Sequence, residues 1–213
     1  MNGSFLEGLL LGAGLLIAIG PKDAFVIRSS IRGSSVLMLV AICALSDALL
    51  IAVGVAGLGV LVASSRWAMV SAMVFSIGYL IYFGLQALAA AFRPVTAFDG
   101  AAASGDTVQG AGAGASVVRM ALFHSLLTPY AWLDTVLVIG AVSATKAGEA
   151  KLAFAAGAMS ASFIWFVFLT VGSRLAASLL RARRAWQLLD LAVALSMMVL
   201  AAKLLSDYPW QTV

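Results

Sequence analysis

Six apolar runs, near residues 5–28, 36–63, 67–92, 117–144, 151–173 and 185–206, take up most of this 213-residue chain. Each is about as long as the roughly 20 residues a helix needs to cross the hydrocarbon core of a bilayer. A chain inside lipid must satisfy its backbone N–H and C=O groups within itself, so runs of this length read as helices. Little length remains for a water-soluble domain. With 63% hydrophobic and only 10% charged residues, the composition is that of an integral membrane protein.

The formal charge of +4 would suggest nucleic acid in a soluble protein, but here the basic residues crowd the ends of the runs. Arg28, Arg32, Arg93, Arg119, Arg174, Arg181, Arg183 and Arg184 fall on or beside loops 1–2, 3–4 and 5–6, against Arg66, Lys146, Lys151 and Lys203 on the other face. That bias makes the odd loops cytoplasmic. It predicts six spans with both termini outside, or five full spans and a cytoplasmic N-terminus if the first run, interrupted at Lys22-Asp23, is re-entrant. The first run lacks a basic leader and a clear small-residue cleavage site, so it reads as a retained helix. The single Cys43 excludes an intramolecular disulfide and reads as a packing residue.

Residues 93–116 hold Pro94, Asp99, Gly100, Gly105 and Asp106 in a Gly/Ala/Ser tract without apolar periodicity, the composition of a flexible linker. It divides the chain into a first three-helix repeat, 1–92, and a second, 117–213. Gly20-Pro21 and Thr128-Pro129 each interrupt the first run of a half, and Ala44-Leu45-Ser46 and Ala158-Met159-Ser160 occupy like places in the second. Because three is odd, two such units insert in opposite orientations. The fold class predicted is an all-α membrane protein of six transmembrane helices in two inverted three-helix repeats, with the first helix of each half broken at a proline.

Inside these runs sit four ionisable residues: Lys22, Asp23, Asp47 and Asp134. Each ion held at mid-bilayer costs about 2.5–3.5 kcal/mol on an insertion scale, so the chain must pair, hydrate or use them. Neighbours on a helix project about 100° apart, which directs Lys22 to Asp47 or Asp134 on another helix rather than to Asp23. One lysine cannot neutralise three carboxylates, so if all meet in one cavity at least one aspartate is left for a substrate cation or a proton. The half-helices that begin after Pro21 and Pro129 would turn free N–H groups toward the carboxylate of an amino acid. The plainer alternatives are packing kinks at the prolines and a salt-bridge network that fixes helix register. His124 reads as a neutral hydrogen-bonding residue, and Asp190 as a structural partner of Arg183 and Arg184. Tyr79, Tyr82, Trp165 and Phe166 read as packing or interface aromatics, and Gly54, Gly57, Gly59, Gly78 and Gly84 as points of close helix approach.

The segments Gly20-Pro21-Lys22-Asp23-Ala24-Phe25-Val26, Leu45-Ser46-Asp47-Ala48 and Thr128-Pro129-Tyr130-Ala131-Trp132-Leu133-Asp134 together resemble the LysE family of L-lysine and L-arginine exporters, nearest its arginine-exporter branch. Gly8 to Gly14, Ile27 to Gly33, Asp134 to Gly140 and Ser160 to Phe166 extend the similarity over nearly the whole chain. The resemblance implies efflux of a cationic amino acid across the bacterial inner membrane, driven by proton exchange or the membrane potential, with the family's two membrane aspartates falling on Asp47 and Asp134. The partners implied are an amino acid, protons, the lipid bilayer and, in a homo-oligomer, further copies of the chain, with no nucleic acid, cofactor or metal. This chain departs from the family at Lys22-Asp23, where Gln-Asn is usual, and at Thr128, where Asn is usual. A fixed ammonium at Lys22 admits a second cargo, a neutral amino acid or other small amphiphile. A non-transporting assembly subunit is the alternative of another class. An enzyme or redox carrier is disfavoured by one histidine, one cysteine and the lack of a Gly-x-Ser-x-Gly nucleophile motif.

Overall fold

Proline lacks the N–H that a helix interior needs, but at a first helical position nothing is lost, and Pro21 is used in that way. In the computed structural model, α1 (Asn2–Leu16) ends before it and α2 (Pro21–Ile31) begins on it, with a bend of 83° between the two. Next come α3 (Val36–Val55) and α4 (Arg66–Phe92), then a π-helical segment (Trp132–Ile139) that runs into α5 (Gly140–Ala144), α6 (Gly148–Leu175) and α7 (Arg183–Asp207). The structure describes residues 2–59, 64–92, 131–177 and 183–207, all of whose regular elements are helical; the linker 93–116, His124, Thr128 and Pro129 lie outside them. Four helices, α3, α4, α6 and most of α7, are long and apolar enough to cross a membrane, and the bent pair α1–α2 makes a fifth if counted as one span.

Small residues decide how α1 packs. Helices in lipid gain little from apolar burial against each other and associate where small side chains let their backbones meet. A Cβ built on Gly8 would lie 2.0 Å from the Phe154 carbonyl oxygen, and one on Gly157 would lie 2.1 Å from that of Phe5. Gly12 rests on Ala158 and Ala161 one turn further on. Contacts then climb both helices together. The Trp165 indole reaches Asp23, the Ser30 hydroxyl donates to the Thr170 carbonyl at 2.8 Å, and the Arg174 guanidinium donates to the Ser34 carbonyl. At the opposite end Lys146 Nζ pairs with Glu7 Oε2 at 2.6 Å. The bent pair therefore keeps contact with α6 from one end of that helix to the other, advancing in the same chain direction despite its bend. Lys146 and Arg174, which the arginine bias assigned to opposite membrane faces, stand at opposite ends of this ladder.

A break in lipid leaves backbone groups that must find partners. The Ile19 carbonyl accepts a hydrogen bond from the Ser196 hydroxyl of α7 at 2.6 Å, and the Gly20 N–H donates to Asp23 Oδ2 at 2.8 Å. Ser196→Ala leaves the Ile19 carbonyl without that bond, a loss of about 1–3 kcal/mol. A fall of several degrees in the apparent Tm of the detergent-purified protein is the expected result, and an unchanged Tm would remove this role from Ser196.

The π-segment and α5 lie against α3, where Gly54 and Gly59 both face the Val136 carbonyl and Gly140 faces that of Gly54. Gly84 of α4 meets Met197 and Met198 of α7. Two of the expected close approaches are corrected. Gly57 follows the Ala56 cap of α3 with φ +103°, the left-handed stop that favours glycine, and Gly78 faces open space. Asp190 also has a different partner from the one expected: it pairs with Arg28 of α2, whose guanidinium lies 5.7 Å from the Trp186 ring centroid. Arg28 thus ties α2 to α7 as well as contributing to the charge bias. Cys43 is buried among Val26, Val40, Phe166 and Leu169, a packing position.

Candidate functional site

The helix break at 17–20 opens a cavity of about 110 Å³ at the meeting point of α1, α2, α3, the π-segment, α6 and α7. Because Pro21 starts α2 there, the next two residues, Lys22 and Asp23, enter the cavity wall on the first turn of a helix and diverge. Asp23 turns back: its carboxylate accepts from the Gly20 N–H and, at 3.2 Å, from Trp165 Nε1, and the residue is buried. It closes the start of α2 as an acidic residue in a first turn should.

Lys22 reaches across to α3, where its ammonium pairs with Asp47 Oδ1, the two side chains being only 17% and 14% exposed. Its Nζ also stands 4.4 Å from the centroid of the Phe166 ring, a cation–π distance. The other Asp47 oxygen accepts from the Ser162 hydroxyl at 3.0 Å. Both acids are therefore held by one face of α6, since Ser162, Trp165 and Phe166 are spaced three and four residues apart. Breaking such a pair by removing one partner typically costs about 3–5 kcal/mol, because the other charge stays buried.

The cavity has two kinds of wall. Lys22, Asp47, Ser162 and the first turn of α2 supply charge and hydrogen-bonding groups; Leu15, Ile51, Ile139 and Met197 supply apolar surface. A small zwitterion with an aliphatic stem matches both. The N–H groups at the start of α2 suit a carboxylate, and Asp47 suits an ammonium or guanidinium.

Of the residues singled out from the sequence, Gly20, Pro21, Lys22, Asp23 and Asp47 all line this one cavity. Asp134 belongs to the π-segment, whose Thr135 and Ile139 line the cavity together with Ala131, the residue just before it. Thr128 and Pro129 fall outside the described residues. A π-helical segment is rare and is often found at functional sites.

A model of the family described as LysE type translocator matches residues 13–208. The chain belongs to the LysE family. It is 32% identical over 203 residues to an arginine exporter protein, ArgO, of Klebsiella pneumoniae (strain 342), covering 95% of this chain and 93% of that one. It is 29% identical over 222 residues to the lysine exporter LysE of Corynebacterium diphtheriae (94% and 97% covered). A putative amino-acid transporter of Mycobacterium bovis is 35% identical over 197 residues (92% and 93% covered). No solved structure matches the chain. As a LysE-family chain with several apolar helices of spanning length, it is a multi-pass protein of the bacterial inner membrane.

For this LysE-family site, reading the sequence missed what α6 contributes. Ser162 had no assigned role, and Trp165 and Phe166 were read as packing or interface residues, whereas their side chains engage Asp47, Asp23 and Lys22. The available signal was their spacing: a hydroxyl, an indole and a phenyl on one face of a helix, in a protein with buried charges to satisfy.

Proposed function

We propose that this protein exports amino acids from the bacterial cytoplasm, with arginine and lysine as its cargo, by secondary transport driven by proton exchange or the membrane potential. The observation that carries this reading is the cavity at the Pro21 break, where the start of α2 and the Asp47 carboxylate face the same small space. The substrate carboxylate binds the free N–H groups of α2, its cationic end approaches Asp47, and Asp134 supplies the second negative charge or takes the proton. The names of the arginine and lysine exporters that the chain resembles support the same cargo.

Alternating access comes from two inverted halves, 1–92 and 117–213, joined by 93–116. The packing supports this through a reciprocal arrangement: α1 lies on α6, as the π-segment and α5 lie on α3. In each case the first run of one half rests on the second run of the other, and α4 packs on α7 as the two third runs. The six spans then consist of the broken α1–α2, α3, α4, a run ending in α5, α6 and α7.

A second reading, export of a neutral amino acid, has one observation in its favour: Lys22 already cancels the charge of Asp47. The test is efflux of radiolabelled arginine and lysine from dipeptide-loaded cells that lack other exporters. Export above the empty-vector level, cut at least about tenfold by Asp134→Asn at matched abundance, is expected, in line with the cost of losing a charged contact. Efflux of a neutral amino acid with no arginine or lysine flux would establish the second reading instead.

A further inference from the structure

The cation position of this cavity already holds a cation. Lys22 Nζ sits between Asp47 Oδ1 and the Phe166 ring, 4.4 Å from its centroid, while Ser162 steadies the other carboxylate oxygen at 3.0 Å. These three groups form the kind of receptor an alkylammonium or guanidinium ligand requires: an anion, an aromatic face and a hydroxyl that orients the anion. The occupant is tethered through a flexible four-carbon stem to the first turn of α2, beside the N–H groups that suit a carboxylate. Lys22 and Asp47 both line the cavity, which leaves adjoining space for the ammonium when it lets go.

We infer that Lys22 is a tethered competitor for the substrate's cationic group, and that it sets the concentration at which arginine or lysine enters the site. The inference rests on the export reading above and deepens it. When the site is empty, Lys22 keeps Asp47 from standing as an unpaired buried charge. When a cationic amino acid arrives, its side chain must displace Lys22 from the carboxylate and from the Phe166 face. The apparent dissociation constant is then the intrinsic one divided by the fraction of time that Lys22 is away, so a 90% occupancy raises it about tenfold. An exporter with such a device leaves ordinary cytoplasmic pools alone and opens to an excess. A substrate with an uncharged side chain does not compete for Asp47 and is not subject to this threshold.

Equilibrium binding to the purified protein, with efflux measured alongside, tests it using L-lysine, L-arginine and L-norleucine, the last being lysine's chain without the ammonium. Lys22→Gln removes the competitor and is expected to tighten lysine and arginine at least about tenfold while leaving norleucine unchanged. Lys22→Arg keeps a cation on Asp47 and holds it with a bidentate fork, so lysine and arginine bind as in the intact protein or more weakly. Unchanged or weaker binding of the cationic amino acids to Lys22→Gln overturns the inference, as does tighter binding to Lys22→Arg. If Lys22→Gln does not reach the membrane, the Lys22→Arg result decides. An intact protein that exports arginine while Lys22→Gln binds it no better loses only this inference; no amino-acid binding or flux by the intact protein or either variant removes the export reading as well.

Discussion

Asp47→Asn is expected to lower arginine efflux by about 100-fold at matched membrane abundance, the equivalent of losing about 3 kcal/mol of contact with the substrate's cation. Two effects combine in this variant, and they are separable. Asp47 accepts from Ser162 and pairs with Lys22, so the amide also strands the Lys22 ammonium in a poorly exposed place. The stranded charge destabilises the fold by about 3–5 kcal/mol and should reduce the amount of extractable protein. Replacing both partners, in Lys22→Gln with Asp47→Asn, removes the stranded charge, so abundance and Tm recover while arginine efflux does not. Recovery of efflux in the double variant would make the pair a structural clamp and remove Asp47 from substrate binding. A tenth or more of the original flux in the single variant would do the same.

Gly157→Val should have the larger effect on the amount of folded protein. A side chain there meets backbone, not a movable group: the Cβ would lie 2.1 Å from the Phe5 carbonyl oxygen and 2.9 Å from the Leu9 nitrogen. To admit it, α1 must leave α6, and the contacts of Gly8 with Phe154 and of Gly12 with Ala158 go with it. A loss of about 4 kcal/mol or more, the range of severe overpacking, is expected. Gly172→Val, on the same helix but facing open space, is the matched control. With a fluorescent fusion, the control should give the normal monodisperse peak on size exclusion after detergent extraction, and Gly157→Val should give aggregate or none. Equal profiles for the two would show that the α1–α6 contact does not hold the fold.

Length and apolarity were enough to locate the runs that became α3, α4, α6 and α7, because lipid imposes a nearly one-dimensional rule on helix length. The break at Pro21 was legible for the same kind of reason: a proline inside an apolar run has few structural outcomes. That Lys22 and Asp23 would face different ways followed from helical geometry. Partner choice across helices was harder to read. Arg28 lies 162 positions from Asp190, and nothing local distinguishes it from Arg183 or Arg184 as the partner. The role of α6 was hidden because serine, tryptophan and phenylalanine are ordinary in lipid helices, and only the placement of Asp23, Lys22 and Asp47 gives Trp165, Phe166 and Ser162 their tasks. Gly57 and Gly78 resembled their neighbours Gly54 and Gly84 in the sequence, yet a left-handed turn and an open face set them apart.

The contact of the bent pair with α6 along that helix's length also sets an order of events at the ribosome. Gly8 and Gly12 find Phe154 and Ala158 only after about 150 further residues have been made, an interval of roughly 7–30 s at about 5–20 residues per second. During that time the interrupted first helix waits in the bilayer without its principal neighbour. Asp47, only 25 positions after Lys22, is synthesised early enough to receive the lysine's charge while α6 is still missing. The ion pair at the centre of the finished cavity can thus serve first as an assembly intermediate's own neutralising contact, formed well before there is any cavity to occupy.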